Sequence, residues 1–409
     1  MKNLKIIVST RWRTILTILV GGLLIGGLLW FQLGTLTSNE FAPIEINTLH
    51  EAGASSNFFN TTFYAFNSHG IRMLLDNSLF LPLKLPIFVL SHLGVNDVVA
   101  LRSVASFYGL LSIVIIFSLM RRLFTKRIAN IGAILVVTSS WFLQSSRIIS
   151  PVVMYLFSMT LILLIVALLR VEKRQKLTAT LITICLASVA YTPGFIILFL
   201  LLCFWQRKDA LRIIKNIPKW FFVMLILAFF VLVSPLFYSM IYGNLGIVSY
   251  LGVPSIIEPI EWLKRLAFIP VYIFIRGPLE PTFNVARLPL LDVFSSVLML
   301  LGVYSYTAKI KEQKNTRTTL TILIFSSVMI ALNGPLLLPL LLPLVYLFIA
   351  TGVALLLQQW FTVFPKNPLV RSLGVVLLCL ALATISFYHC KRYFIVWPNA
   401  PATKTVFRI

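Results

Sequence analysis

The sequence has 409 residues, of which 59% are hydrophobic and only 11% are charged, and its mean hydropathy is +0.95. This composition excludes an ordinary soluble protein. It predicts an all-α, polytopic membrane protein, because lipid requires backbone polar groups to pair within helices or closed barrels and the apolar runs here are long and continuous. The net charge of +23 could suggest nucleic-acid binding, but the basic residues are spread through short loops, so no nucleic-acid partner is expected.

The first apolar run covers residues 14–32 and follows four basic residues. It resembles a signal peptide, but its length and the lack of a convincing small-residue cleavage site favour a start-transfer helix with a cytoplasmic N-terminus. Residues 34–97 are then expected to form an outer loop with interfacial helices. The middle of this loop is too polar to span, and residues 79–93 are too short and interrupted by proline.

Ten further apolar runs bring the expected number of transmembrane helices to about eleven, with a range of nine to thirteen. When the loops are assigned alternately to the two sides, the inner segments hold 23 of the 35 Lys and Arg residues, as expected for cytoplasmic loops, whereas nine of the twelve acidic residues lie outside.

A second outer loop, residues 242–287, is expected to pack over the first. The outer tail, residues 389–409, is too short to fold alone, so residues 1–409 are predicted to form one domain without a separate soluble part. The ten runs are residues 98–120, 128–146, 149–169, 177–191, 194–205, 220–241, 288–306, 319–333, 336–357 and 373–388.

Neither the cysteines nor the histidines show the spacing of a metal site. The four cysteines imply no disulfide framework. His50, His69 and His92 could join Glu51 around a metal ion, but they lack compact ligand spacing. No metal ion and no other cofactor is therefore expected.

Several short motifs occur in a characteristic order along the chain. They begin within the acidic outer loop and are Leu83–Pro86, Leu101–Leu110, Met120–Phe124, Ser139–Trp141 and Ser146-Arg147. In this order the chain resembles, over nearly its full length, the GT-C superfamily of membrane glycosyltransferases, in particular bacterial relatives of the protein O-mannosyltransferases and of the aminoarabinose lipid A transferase.

The resemblance implies transfer of a sugar from a polyprenyl-phosphate donor to a protein, lipid or glycan acceptor on the outer face of the cell membrane, usually with inversion. Such a reaction needs a carboxylate as general base for the acceptor hydroxyl. In the family this base is usually an Asp early in the first outer loop, often within an Asp-Glu pair. The present sequence has Glu45 at the nearest position, so Glu45 is the candidate base and Glu51 is the second candidate.

The departing phosphate needs fixed cations, and the resemblance suggests Lys84, Arg102 and Arg147 for this role. Each has a structural alternative. Lys84 could be an interfacial lysine that extends towards the headgroups, Arg102 could form a structural pair with Asp97, and Arg147 could likewise have a structural role, which is favoured for it. The arginine that the family often has before a Leu-Pro pair near the penultimate helices is missing from residues 333–343.

Two other functions remain open. A catalytically degenerate scaffold of the same fold would explain the missing Asp and the short tail. A lipid or solute transporter would need ionisable groups near mid-membrane and matching interrupted helices in the two halves, and the sequence shows neither. A cavity faced by both Glu45 and Lys84 would favour the enzyme.

Overall fold

The computed structural model describes residues 41–53, 68–95, 97–171, 174–243, 245–254, 258–308 and 314–407. The predicted first helix, residues 14–32, lies outside them. The regular elements of the described ranges are helical, which confirms the all-α fold class. They are α1 (Pro43–Glu51), α2 (Ser68–Asp76), α3 (Leu81–His92), α4 (Val98–Leu123), α5 (Lys126–Thr138), α6 (Ser140–Arg147), α7 (Pro151–Leu168), α8 (Gln175–Ala190), α9 (Phe195–Trp205), α10 (Arg207–Lys215), α11 (Lys219–Ile241), α12 (Ile247–Tyr250), α13 (Pro259–Phe274), α14 (Val293–Ala308), α15 (Lys314–Asn333), the 3₁₀ helix Pro335–Leu341, α16 (Leu342–Val363), α17 (Pro368–Lys391), the π-helical segment Arg392–Val396 with the turn Trp397–Asn399, and α18 (Pro401–Phe407).

Within the described residues, five helices are long and apolar enough to cross a membrane, so the protein is a multi-pass membrane protein. They are α4, α7, α11, the continuous stretch Pro335–Val363, and α17 with its extension to Asn399. Shorter apolar helices, α3, α8, α9, α14 and α15, pack among them. Several of these helices begin with proline in the first turn, for example Pro151 and Pro368. The fixed φ of proline suits this position, and a backbone N–H there would have no helical partner, so its loss costs nothing.

The apolar run at residues 128–146 forms two helices rather than one straight span. Helices α5 and α6 meet at Ser139 with a bend of 58°. Ser139 has extended backbone angles, and its side chain accepts a hydrogen bond from the backbone N–H of Phe142 at 3.3 Å. This serine therefore acts as the N-cap of α6, so the chain begins a new helix there instead of continuing the old one.

Helix α7 is the most buried of the long helices, whereas α11 and α17 expose most of their apolar side chains. Helices α14 and α16 pack antiparallel at very short range. A Cβ atom on Gly302 would lie 1.9 Å from the carbonyl oxygen of Phe348, and one on Gly352 would lie 1.9 Å from that of Leu298. Glycine is therefore required at both positions for the close approach of the two helices.

The C-terminal segment packs into the same core instead of forming a loose tail. Trp397 and Phe407 are buried and pack against each other. His389, near the end of α17, joins Ser140 at 3.0 Å to Asp292 at 3.1 Å. These hydrogen bonds connect the end of the last long helix to the α5–α6 bend and to the start of α14.

Asp292 lies just before α14, outside the membrane-spanning helices, and accepts a hydrogen bond from the backbone N–H of Ser295 at 2.9 Å. Burial alone would raise the pKa of Asp292. The hydrogen bonds from His389 and Ser295 outweigh burial and hold this pKa below its ordinary value.

Candidate active site

Helix α1 places two glutamates on different faces. Ile44, Thr48 and Glu51 follow the spacing of one helical face and line a cavity. Glu45 and Leu49 occupy the neighbouring face and are fully buried in the protein core. The two candidate bases are therefore six residues apart in sequence and in different surroundings.

The cavity has a volume of about 430 Å³, within the usual range for sites that bind small molecules or parts of larger ligands. Its walls are mostly apolar, with a few polar groups that could orient a ligand. The cavity receives residues from both predicted outer loops, from the start of α7 and from the end of α15. The lining residues are Ile44, Asn47, Thr48, Glu51, Phe80, Pro151, Val152, Tyr155, Pro193, Ser249, Gly252, Val253, Pro254, Asn333, Leu336 and Leu337.

Glu51 and Lys84 form an ion pair at the edge of this cavity. The Nζ atom of Lys84 lies 2.9 Å from Oε2 of Glu51 and donates a hydrogen bond to the backbone oxygen of Asn77 at 3.0 Å. The side chain of Glu51 is 45% exposed, whereas that of Lys84 is fully buried. Lys84 therefore lies behind Glu51 as seen from the cavity.

Lys84 lies on α3, a helix of only 12 residues that is too short to cross a membrane. Burial lowers the pKa of Lys84, while the charge and the hydrogen bond of Glu51 act in the opposite direction. Glu51 thus favours the charged form of Lys84 at a position where burial disfavours that form.

Glu45 and Arg102 form a second, fully enclosed ion pair. Arg102 donates from Nε to Oε1 of Glu45 at 2.9 Å and from Nη2 to Oε2 at 2.7 Å. The backbone N–H groups of Ala42 and Ile149 also donate to this carboxylate, at 2.9 and 3.3 Å. Four donors thus hold the two oxygens, and Glu45 joins α1 to α4 and to the turn before α7.

This arrangement separates the predicted site residues into two groups. Glu45 does not line the cavity, and Lys84 reaches the cavity edge only through Glu51. Arg102 does have a carboxylate partner, but the partner is Glu45 rather than Asp97. The aromatic rings of Phe41 and Phe407 lie 5.7 and 5.6 Å from the Arg102 guanidinium and enclose it further.

Arg147 belongs with the second ion pair. It is buried, donates from Nη1 to the hydroxyl of Tyr393 at 3.2 Å, and lies 5.7 Å from the ring centre of Trp397. Among the described residues its Nε and Nη2 atoms have no hydrogen-bond partner. It interacts electrostatically with Glu45 and Arg102, so this region carries two guanidinium groups near one carboxylate.

Sequence reasoning missed several residues of the cavity. Tyr155 on α7 and Asn333 at the end of α15 were not singled out as site residues, although both line it. Asn333 donates hydrogen bonds to the backbone oxygens of Gly252 and Met329, which fixes one wall. In the described part of the chain no three His, Cys, Asp or Glu side chains gather in a metal-binding cluster.

The fold is similar to that of a protein of known structure. The crystal structure of ArnT from Cupriavidus metallidurans in the apo state matches 98% of this chain and 76% of its own chain, with a TM-score of 0.51 and 12% sequence identity. The resemblance inferred from the sequence motifs is therefore confirmed at the level of the fold. No protein-family model and no curated protein matches the chain.

Proposed function

We propose that this protein is a GT-C glycosyltransferase that moves a sugar from a polyprenyl-phosphate donor to a hydroxyl acceptor on the outer face of the membrane. The observation that carries the proposal is the Glu51–Lys84 pair at the edge of a 430 Å³ cavity in an ArnT-like fold. The cavity combines a carboxylate, a nearby cation and apolar walls, which are the groups that this reaction requires.

In the proposed reaction Glu51 accepts the proton of the acceptor hydroxyl while the oxygen attacks the anomeric carbon of the donor sugar. The bond between that carbon and the phosphate oxygen breaks, and the lipid phosphate leaves with the bonding electrons. The charge of Lys84, whose Nζ lies 2.9 Å behind Oε2 of Glu51, acts across Glu51 and stabilises the negative charge that develops on the phosphate. Attack from the face opposite the leaving group inverts the anomeric configuration.

Glu51 is preferred to Glu45 as the base because only Glu51 lines the cavity. The oxygens of Glu45 are occupied by Arg102 and two backbone N–H groups. A general base must come within hydrogen-bond distance of the acceptor proton, and Glu45 would first have to break this network. Glu45, Arg102 and Arg147 are therefore assigned to positioning α1 against the core.

The proposal is tested by reconstituting the protein in liposomes with radiolabelled polyprenyl-phosphate sugars and measuring transfer to lipid, glycan and peptide acceptors. A wild-type protein that transfers at least one sugar supports it. The variant Asn47→Trp fills the cavity and should abolish transfer. The variant Ile46→Trp changes the neighbouring residue, which is 54% exposed and does not line the cavity, and should leave transfer intact.

Two results would contradict the proposal. If folded wild-type protein transfers no sugar from the whole donor panel, the enzyme is rejected in favour of a scaffold. If Asn47→Trp and Ile46→Trp transfer equally well, the reaction takes place outside this cavity.

A further inference from the structure

A second crevice lies between α4, α7, α14, α15 and α16 and shares no lining residue with the candidate active site. Nine of its fourteen lining residues are apolar. The other five are two arginines and three residues with hydroxyl groups: Arg122, Arg170, Tyr306, Thr318 and Thr319. Basic groups beside apolar walls are typical of sites for anionic lipids.

The charge of the crevice favours an anion. Arg122 lies in the last turn of α4 and Arg170 lies just beyond α7, so two separate helices each bring a guanidinium to the crevice. Both side chains are exposed, and no acidic side chain is among the lining residues in the described ranges. Two like charges beside one crevice repel each other, and a bound anion would relieve the repulsion.

The hydroxyl groups add polar contacts on the opposite wall. The hydroxyl of Tyr306 hydrogen-bonds with Thr319 and interacts electrostatically with Arg170. Thr318 is buried and accepts a hydrogen bond from Nε2 of Gln206 at 3.3 Å. These contacts hold the wall of α15 and α14 in place beside the arginines.

The size of the crevice identifies the part of the ligand that enters. A volume of about 90 Å³ holds several water-sized groups, which suits a phosphate but not acyl chains. The chains can instead follow the apolar surface outside, where Leu123 is 53% exposed. We propose that the crevice binds the phosphate of an anionic phospholipid, with its chains lying along the neighbouring helices.

The test uses detergent-purified full-length protein and phosphatidylglycerol, with bound lipid counted by native mass spectrometry. The double variant Arg122→Gln/Arg170→Gln should bind about five-fold more weakly for each arginine, hence about 25-fold in all. The matched control Arg127→Gln/Arg174→Gln removes two exposed arginines that do not line the crevice and should change binding less than two-fold. The variant Arg122→Lys/Arg170→Lys keeps both charges and should retain the lipid.

Three results would overturn the proposal. Equal weakening by the crevice pair and the control pair would mean that only the overall charge attracts lipid. Unchanged binding in the crevice variant would mean that these arginines serve topology alone. Displacement of the lipid by inorganic phosphate at equal concentration would identify a site for free anions, because a phospholipid held also by its chains should resist such competition.

Discussion

Removing Arg102 should destabilise the protein more than the loss of any exposed arginine. The variant Arg102→Met keeps the apolar stem of the side chain but leaves Glu45 buried with only the N–H groups of Ala42 and Ile149 as donors. Two charge-assisted hydrogen bonds, at 2.9 and 2.7 Å, are lost, each worth about 1.5–3 kcal/mol. We therefore expect the free energy of unfolding to fall by about 3–5 kcal/mol, the usual effect of breaking a buried ion pair.

The assay is SDS-induced unfolding in mixed micelles, followed by tryptophan fluorescence. Arg127→Met, at an exposed position, is the control and should change the free energy of unfolding by less than about 0.5 kcal/mol. The double variant Glu45→Gln/Arg102→Met removes both charges and should be more stable than the sum of the single variants predicts. Strict additivity, or an effect of Arg102→Met no larger than the control, would refute the view that this pair is structural.

Three further predictions concern packing and pH. Gly302→Ala should separate α14 from α16 and lower the unfolding temperature. The control Gly246→Ala should not lower it, because its Cβ would meet no atom closer than 3.9 Å. Equal unfolding temperatures for the two variants would refute the close approach of the helices. Because the pKa of Asp292 is held below its ordinary value, this group contributes stability that is present above about pH 4 and is lost as the pH falls through its folded-state value. Unfolding measured against pH should therefore show a steeper acid loss for wild type than for Asp292→Asn, and parallel curves would contradict this. Because burial lowers the pKa of Lys84, the rate of transfer should fall with rising pH before the pH reaches the ordinary lysine pKa of about 10.4. The variant Lys84→Arg stays charged and should keep its activity to higher pH. Coincident pH profiles would exclude Lys84 as the required cation.

Long apolar runs made the helices predictable, because each span must bury about 20 residues in lipid. The runs at residues 98–120, 149–169 and 220–241 correspond closely to α4, α7 and α11. The bend at Ser139 was not predicted, since hydropathy alone does not show that the three adjacent polar residues Thr138, Ser139 and Ser140 end one helix and begin another. The bend forms because Ser139 caps the first turn of α6.

The contacts of the candidate site could be predicted only in part. The motifs indicated Lys84, Glu45 and Glu51, but not which glutamate faces a cavity. The spacing of Glu45 with Leu49 on one face of α1 could have assigned Glu45 to the core, had the interfacial helices of the outer loop been given bounds that include residues 43–51. The partner of Glu45 is 57 residues away, and no local pattern reports such a contact.

The C-terminal segment illustrates the same limit. A segment of this length lacks a core of its own, so it is not expected to fold alone. Its aromatic residues instead cover Arg102 and Arg147, with Phe407 beside the first and Trp397 beside the second. This packing joins positions that are hundreds of residues apart, so it follows from the folded structure and not from local sequence.

The most direct test of the account compares sugar transfer by Glu51→Gln and Glu45→Gln, with each rate divided by the folded fraction of the protein. Glu258→Gln, at an exposed position outside the cavity, is the control. Glu51→Gln should lose about 10²–10⁴-fold in rate while remaining folded, because it lacks the base. Glu45→Gln should lose folded protein but retain most of its rate per folded molecule. The opposite result, a folded but inactive Glu45→Gln beside an active Glu51→Gln, would contradict the assignment of Glu51 as the base.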